Sequence, residues 1–243
     1  MSSMKQLTGL LVAANRILAN ENVVDAYGHV SVRHPEDPDK FLLSRSRSPE
    51  LVEPEDIMTF TLDGKPADGR SDPAYFERFI HCGCYELLPD INAVVHSHAR
   101  AVLPFTISSV RLRPTIHTAS SCGCELPVWD IEDNFGATNL LVSNIEQGRD
   151  LARSFTANRA TLMRGHGFTA VGRTLAEVLR VSIYLPVNAQ VMMDAIRLGG
   201  TIKCLTDGEI AVREAAGPEG SDIRRAMDYW ARRAGARQYL DLN

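Results

Sequence analysis

Asn92-Ala93-Val94-Val95-His96-Ser97-His98 is the stretch on which the reading of this chain turns. An apolar run ends in His-x-His, and the pattern predicts a strand over Ile91 to His98. Side chains alternate along a strand, so His96 and His98 share a face about 6–7 Å apart, and both imidazoles can reach one metal ion. Further along, Ala160 to Arg164 reads as a buried strand leading into Gly165-His166-Gly167, with Phe168 to Val171 continuing beyond. The two glycines allow a tight strand-end turn that aims His166 into a cavity as a third imidazole. Upstream, Asp72-Pro73 has the form of a helix start, and the helix should run to about Leu88, before Pro89. Glu77 and His81 lie four apart on one face of it. A carboxylate beside a metal can serve as ligand, general acid or general base.

The rest of the chain supplies a frame for this kernel. Apolar residues spaced by three and four over 5–22 predict an opening helix. His29 to Val32, Lys40 to Ser44 and Ile57 to Leu62 read as short strands, the last ending at the Asp63-Gly64 turn. Pro114 to Ala119 is a weaker strand candidate, and Gly148 to Ser154 begins a helix. Residues 174–198 form the longest helical stretch, which Pro186 should kink or divide and Gly199-Gly200 should close. Asp222 to Leu240 reads as a basic amphipathic helix containing Trp230. We expect one domain over 1–243, with a helical extension from about residue 201.

Composition excludes several classes of function. Net charge is −4 with the 26 basic residues scattered, which does not suit a nucleic-acid surface. No apolar window is long enough to span a membrane, and the N-terminus lacks the form of a signal peptide, so a cytoplasmic location is expected. The pairs Cys82-Gly-Cys84 and Cys122-Gly-Cys124 are spaced more tightly than structural zinc sites usually allow, and read as small buried thiols in a reducing compartment.

With these motifs in view, the chain resembles the class II aldolase/adducin-head family from about Leu7 to Gly200. The anchors are Gly28-His29-Val30-Ser31-Val32-Arg33, Glu77 to His81, Pro89 to His98 and Arg164-Gly165-His166-Gly167. The resemblance implies a three-layer α/β/α domain around a largely antiparallel sheet. It implies one divalent metal ion per subunit on His96, His98 and His166, with Glu77 as the acid/base carboxylate. Zn2+ and Mn2+ suit three imidazoles, and so do Fe2+ and Co2+. A homotetramer with active sites at subunit interfaces is also implied.

Departures from the family pattern bear on the substrate. Where the sugar-phosphate aldolases place small residues around a phosphate, this chain has His29, Ser46-Arg47 and Tyr75-Phe76. Arg45 and Arg47 suit a substrate carboxylate, and Tyr75 and Phe76 suit a flat ring. His29 and Ser31 are candidate pocket residues, and His117 is a candidate to orient or protonate the substrate. The chain is similar to the branch that decarboxylates hydroxylated aromatic acids. That branch implies loss of CO2 from a hydroxyaromatic or hydroxypyridine (di)carboxylate, with 3-hydroxy-2-methylpyridine-4,5-dicarboxylate, a compound of vitamin B6 breakdown, as the foremost candidate. Retro-aldol cleavage and decarboxylation beside a phenolic carbon both need a Lewis acid for an enolate or phenolate oxygen. The alternatives are an aldolase on another carbonyl substrate, an iron-dependent oxygenase, and a non-catalytic adducin-like assembly module.

Overall fold

The computed structural model describes residues 4–215 and 220–240. Helix α1 (Met4–Asn20) leads into strands β1 (His29–Arg33), β2 (Lys40–Ser44) and β3 (Ile57–Thr61), then α2 (Phe79–Leu87) and β4 (Ala93–Ser97). Next come the short α3 (Leu103–Thr106), β5 (Val128–Trp129), the short α4 (Glu132–Phe135) and α5 (Ile145–Arg153). Strands β6 (Ala160–Met163) and β7 (Gly167–Gly172) precede α6 (Leu175–Leu198), α7 (Asp207–Ala215) and α8 (Gly220–Arg233). The described strands form a seven-stranded sheet in the order β3-β2-β1-β4-β7-β6-β5. Every neighbouring pair is antiparallel except β5 with β6.

Strand alternation sorts side chains into two cores, giving the expected three layers. Val30, Val32, Ala93, Val95, Phe168 and Ala170 pack with Leu11, Ile17, Val178 and Trp230 from α1, α6 and α8. Phe41, Leu43, Val94, Met163 and Val171 pack on the opposite face with Ile80, Tyr85 and Leu151 from α2 and α5. The second layer depends on glycine. A methyl group on Gly83 would run into the Gly148 carbonyl, and one on Gly148 would run into the Phe79 carbonyl. In Cys82-Gly-Cys84 it is therefore the glycine that lets α2 and α5 touch backbone to backbone.

Several expected elements differ. The helix expected from Asp72 begins later: a 3-10 turn, Phe76–Arg78, precedes α2, and Glu77 sits in it with non-helical φ −89° and ψ 20°. Residues 72–75 are held outside the helix by the Ser46 N–H, which donates to the Pro73 carbonyl at 2.7 Å, and by the Arg70–Asp72 ion pair. Glu77 and His81 thus do not belong to one regular helix. Pro114 to Ala119 is not a strand. The Asn188 side chain takes the Thr115 N–H at 2.7 Å and donates to the Arg113 carbonyl at 2.9 Å, replacing a ladder partner, and 117–122 turn as a 3-10 helix. Helix α5 starts at Ile145, before Gly148, because Asn144 caps it by accepting the Gln147 N–H. Helix α6 continues through Pro186 without dividing. The C-terminal helix ends at Arg233, followed by Gly235 at φ +61° and a 3-10 turn, and α7 lies within the helical extension expected from about residue 201.

Candidate metal centre

The site lies on the α2 face of the sheet, where β4 ends and β1 and β7 begin. Register sets His29 beside His96, and His96 beside Thr169. His98 stands one residue beyond β4, on the same face as His96. His166 is on the turn joining β6 to β7, between Gly165 at φ +63° and Gly167, whose Cβ position would collide with the Ser97 carbonyl. Both glycines are required by backbone geometry, which is how this turn comes to lie against β4.

The three imidazoles converge. His98 Nε2 lies 2.9 Å from His96 Nε2 and 2.9 Å from His166 Nε2. Glu77 Oε2 is 3.7 Å from His96 Nε2 and 3.5 Å from His166 Nε2. Its other oxygen, Oε1, accepts the Val142 N–H at 3.0 Å, which orients the carboxylate. One ligand atom from each of the four residues lies within 4.8 Å of the others.

This donor set fits a divalent cation. Burial holds His96 neutral, well below the usual imidazole range, and His98 is also lowered by burial and then by His166, against the pull of Glu77. His96 Nδ1 is 3.1 Å from the Phe168 carbonyl and donates to it, so Nε2 presents a lone pair to the centre. Lone pairs and a carboxylate gathered this closely repel one another unless a cation lies among them. Neutral imidazole nitrogens with one carboxylate are the ligands zinc and other first-row divalent metals take. The cysteines are not part of it: burial pushes the Cys82 and Cys122 thiols up to about 12 and the Cys84 thiol higher still, so they stay protonated.

A cavity of about 750 Å³ opens over the cluster. His29, Arg47 and Tyr75 line it, together with Ser46, Phe76 and Glu77. Arg45 does not: its Nε donates to Asp56 Oδ1 at 2.6 Å. Arg47 also reaches Asp56, at 3.1 Å, and donates to the Leu51 carbonyl. Ser31 is fully buried behind the wall, bonded to His81 and Tyr85. His117 is exposed on its 3-10 turn, away from the cavity lining. The sequence reading missed Tyr27, which is 69% exposed at the cavity mouth, and the 139–141 segment. There Leu140 adopts φ +67°, a left-handed backbone leucine rarely takes. Neither carries a sequence signal, since both are ordinary loop residues brought in by tertiary folding.

Comparison with known proteins identifies the family and the fold. The family described as Class II Aldolase and Adducin N-terminal domain matches residues 9–193. The decarboxylase tropJ of Talaromyces stipitatus is 39% identical over 77% of this chain and 75% of its own length. A 3,4-dihydroxyphthalate decarboxylase of Arthrobacter keyseri is 28% identical over 83% of each chain. The structure of an L-fuculose 1-phosphate aldolase from Glaciozyma antarctica superposes with a TM-score of 0.75, covering 96% of this chain and 90% of that one at 21% identity; this likeness is one of fold.

Proposed function

The chain belongs to the class II aldolase and adducin N-terminal domain family, and from that premise we propose that it is a metal-dependent carboxy-lyase releasing CO2 from a hydroxylated aromatic or hydroxypyridine carboxylate. The observation that carries the reading is the cluster of Glu77, His96, His98 and His166 at the floor of a cavity walled by bulky residues. His29, Ser46, Arg47, Tyr75 and Phe76, which replace the small phosphate-binding residues of the aldolases, all line it. Decarboxylases among the relatives support the same choice.

His96, His98 and His166 would hold a divalent ion, which would supply Lewis acidity toward a substrate oxygen. The chain's own residues do the rest. Tyr75 and Phe76 flank a flat ring, and the Tyr75 hydroxyl is fixed against Ser44 Oγ at 3.0 Å and the Arg47 carbonyl. With Oε1 committed to the Val142 N–H, Glu77 is left with Oε2 as the oxygen through which it passes a proton to the ring carbon that bears the carboxylate. The C–C bond then breaks, its electron pair returns to the ring, and CO2 leaves; solvent reprotonates Glu77. Arg47, at the cavity edge, supplies positive charge to a carboxylate that stays on the ring. His117 has no role in this scheme within one subunit.

A homotetramer with sites at subunit interfaces belongs to the proposal. Tyr27 and Phe76 (58% exposed) at the mouth, with Val187 and Val191 exposed on α6, are the apolar surface that supports it. No helix among the described residues is long and apolar enough to cross a membrane, and all five cysteines are free, in keeping with a cytoplasmic enzyme. The test is to offer metal-reconstituted protein 3,4-dihydroxyphthalate, 3-hydroxy-2-methylpyridine-4,5-dicarboxylate and fuculose 1-phosphate, following CO2 and aldehyde. The reading expects CO2 from one of the dicarboxylates. Aldehyde from the sugar phosphate without CO2 from either acid would establish the aldolase instead.

A further inference from the structure

Behind the cavity wall runs a buried chain of four polar side chains. His29 Nδ1 lies 2.6 Å from His81 Nε2, His81 Nδ1 lies 2.6 Å from Ser31 Oγ, and Ser31 Oγ lies 2.7 Å from the Tyr85 hydroxyl. The register of β1 explains its placement: His29 and Ser31 face α2 while Val30 and Val32 face the opposite core. Tyr85 is 1% exposed, its ring lies beneath the Arg33 guanidinium at 4.8 Å, and among the described residues its hydroxyl has no partner besides Ser31.

Counting hydrogens along the chain gives it a direction. The phenol can donate only to Ser31 Oγ. Ser31 then has one hydrogen and one acceptor left for it, His81 Nδ1. His81 must therefore carry its own proton on Nε2 and donate to His29 Nδ1. A neutral His29 that accepts at Nδ1 carries its proton on Nε2. Reversing the chain would strand the Tyr85 O–H without an acceptor in the interior, which native structures avoid.

His29 Nε2, the ring's other nitrogen, has no protein partner among the described residues, and His29 lines the cavity. The geometry points to His29 as a fixed N–H donor that recognises the carboxylate the substrate retains, with Tyr85, Ser31 and His81 as positioning residues that set its tautomer. This rests on the decarboxylase reading for the identity of the substrate, though not for the tautomer. It also separates His29 from its neighbour His96, 5.2 Å away between ring centroids: a nitrogen bearing a proton can be neither a metal ligand nor a base. The retained carboxylate is the partner assigned because a donor that favoured the departing carboxylate as an anion would raise the barrier to losing it as neutral CO2.

The test reads the tautomer directly. Zinc-loaded protein with 15N-labelled imidazoles gives long-range 15N–1H correlations that distinguish an Nε2 proton from an Nδ1 proton, and His29→Gln assigns the signal. Wild type should show His29 protonated on Nε2. Ser31→Ala cuts the chain, so His29 should become a mixture of tautomers. With zinc content retained, KM for the dicarboxylate should rise roughly three- to ten-fold, more than kcat falls. Tyr85→Phe, which keeps the ring under Arg33, replaces Ser31→Ala if that variant does not fold. An Nδ1 proton on wild-type His29, or a tautomer and KM unchanged by cutting the chain, overturns the inference. A protein that releases no CO2 while His29 keeps its proton on Nε2 removes the retained carboxylate as its partner and overturns the decarboxylase reading, leaving the tautomer assignment intact.

Discussion

The two walls of the cavity are built differently. The metal wall is regular structure: His96 on β4, His98 one residue past it and His166 on a turn forced by two glycines, with Glu77 held by the Val142 N–H. The substrate wall, apart from His29 on β1, is loop, and its Arg47 and Tyr75 side chains are already bonded within the protein. Arg45 and Arg47 share Asp56, and the Tyr75 hydroxyl is held by Ser44 and the Arg47 carbonyl. Period and register place the first wall, whereas the second is placed by partners that only the fold brings near. The metal wall should therefore tolerate nothing, and the substrate wall should adjust affinity by degrees.

The largest effect expected is metal removal. Chelation followed by dialysis should reduce CO2 release to the uncatalysed level, and adding back Mn2+ or Zn2+ should restore it. Full activity in stripped protein would show that the histidines serve only the fold. Next in size is Glu77→Gln, which keeps the shape and removes the proton. Steady-state kinetics should show kcat falling on the order of 10²–10⁴-fold in folded, metallated protein. A near-normal kcat would take Glu77 out of the proton step.

How far each wall was legible follows from this contrast. The strand pair His96 and His98 and the Gly-His-Gly turn could be read from alternation and turn residues, whereas the three-layer order came from the family resemblance. Glu77 was found, though on a helix that in fact starts later, because the Ser46 to Pro73 hydrogen bond joins residues 27 apart in sequence. Arg45 reads as a substrate ligand in its local sequence because the partner that occupies it, Asp56, is 11 residues away. The strand expected at Pro114 was lost to Asn188 on α6, 73 residues from Thr115. Gly83 carries no signal of its own within Cys82-Gly-Cys84, since its partner Gly148 is visible only in the fold.

That helix contact gives an intermediate prediction. Gly83→Ala should push α2, the support of His81 and Tyr85, away from α5 and destabilise the protein by about 1–3 kcal/mol in a denaturant titration. Stability equal to wild type would show that the crossing relaxes without cost.

The smallest effects belong to the loop. Arg47→Lys keeps the charge but loses the planar fork, so KM for a dicarboxylate should rise by roughly two- to ten-fold with less change in kcat. Asp56 gives a pH signature of the same wall. Burial works to raise its pKa, but the Glu53 N–H and then Arg45 and Arg47 outweigh it and hold the carboxyl below its ordinary value. A depressed folded-state pKa contributes stability that is present above the unfolded value of about 3.9 and is lost as pH falls through the folded value. The stability gap between wild type and Asp56→Asn should accordingly narrow as pH drops below about 4, and a gap independent of pH would show that the carboxylate's charge is not what holds the arginines.

The central claim is that one divalent ion is held by His96, His98 and His166, and elemental analysis of purified, dialysed protein tests it most directly. Wild type should carry about one ion per chain, and His96→Ala, His98→Ala and His166→Ala should each fall well below that, in folded protein. Full metal occupancy in all three single variants would contradict the account.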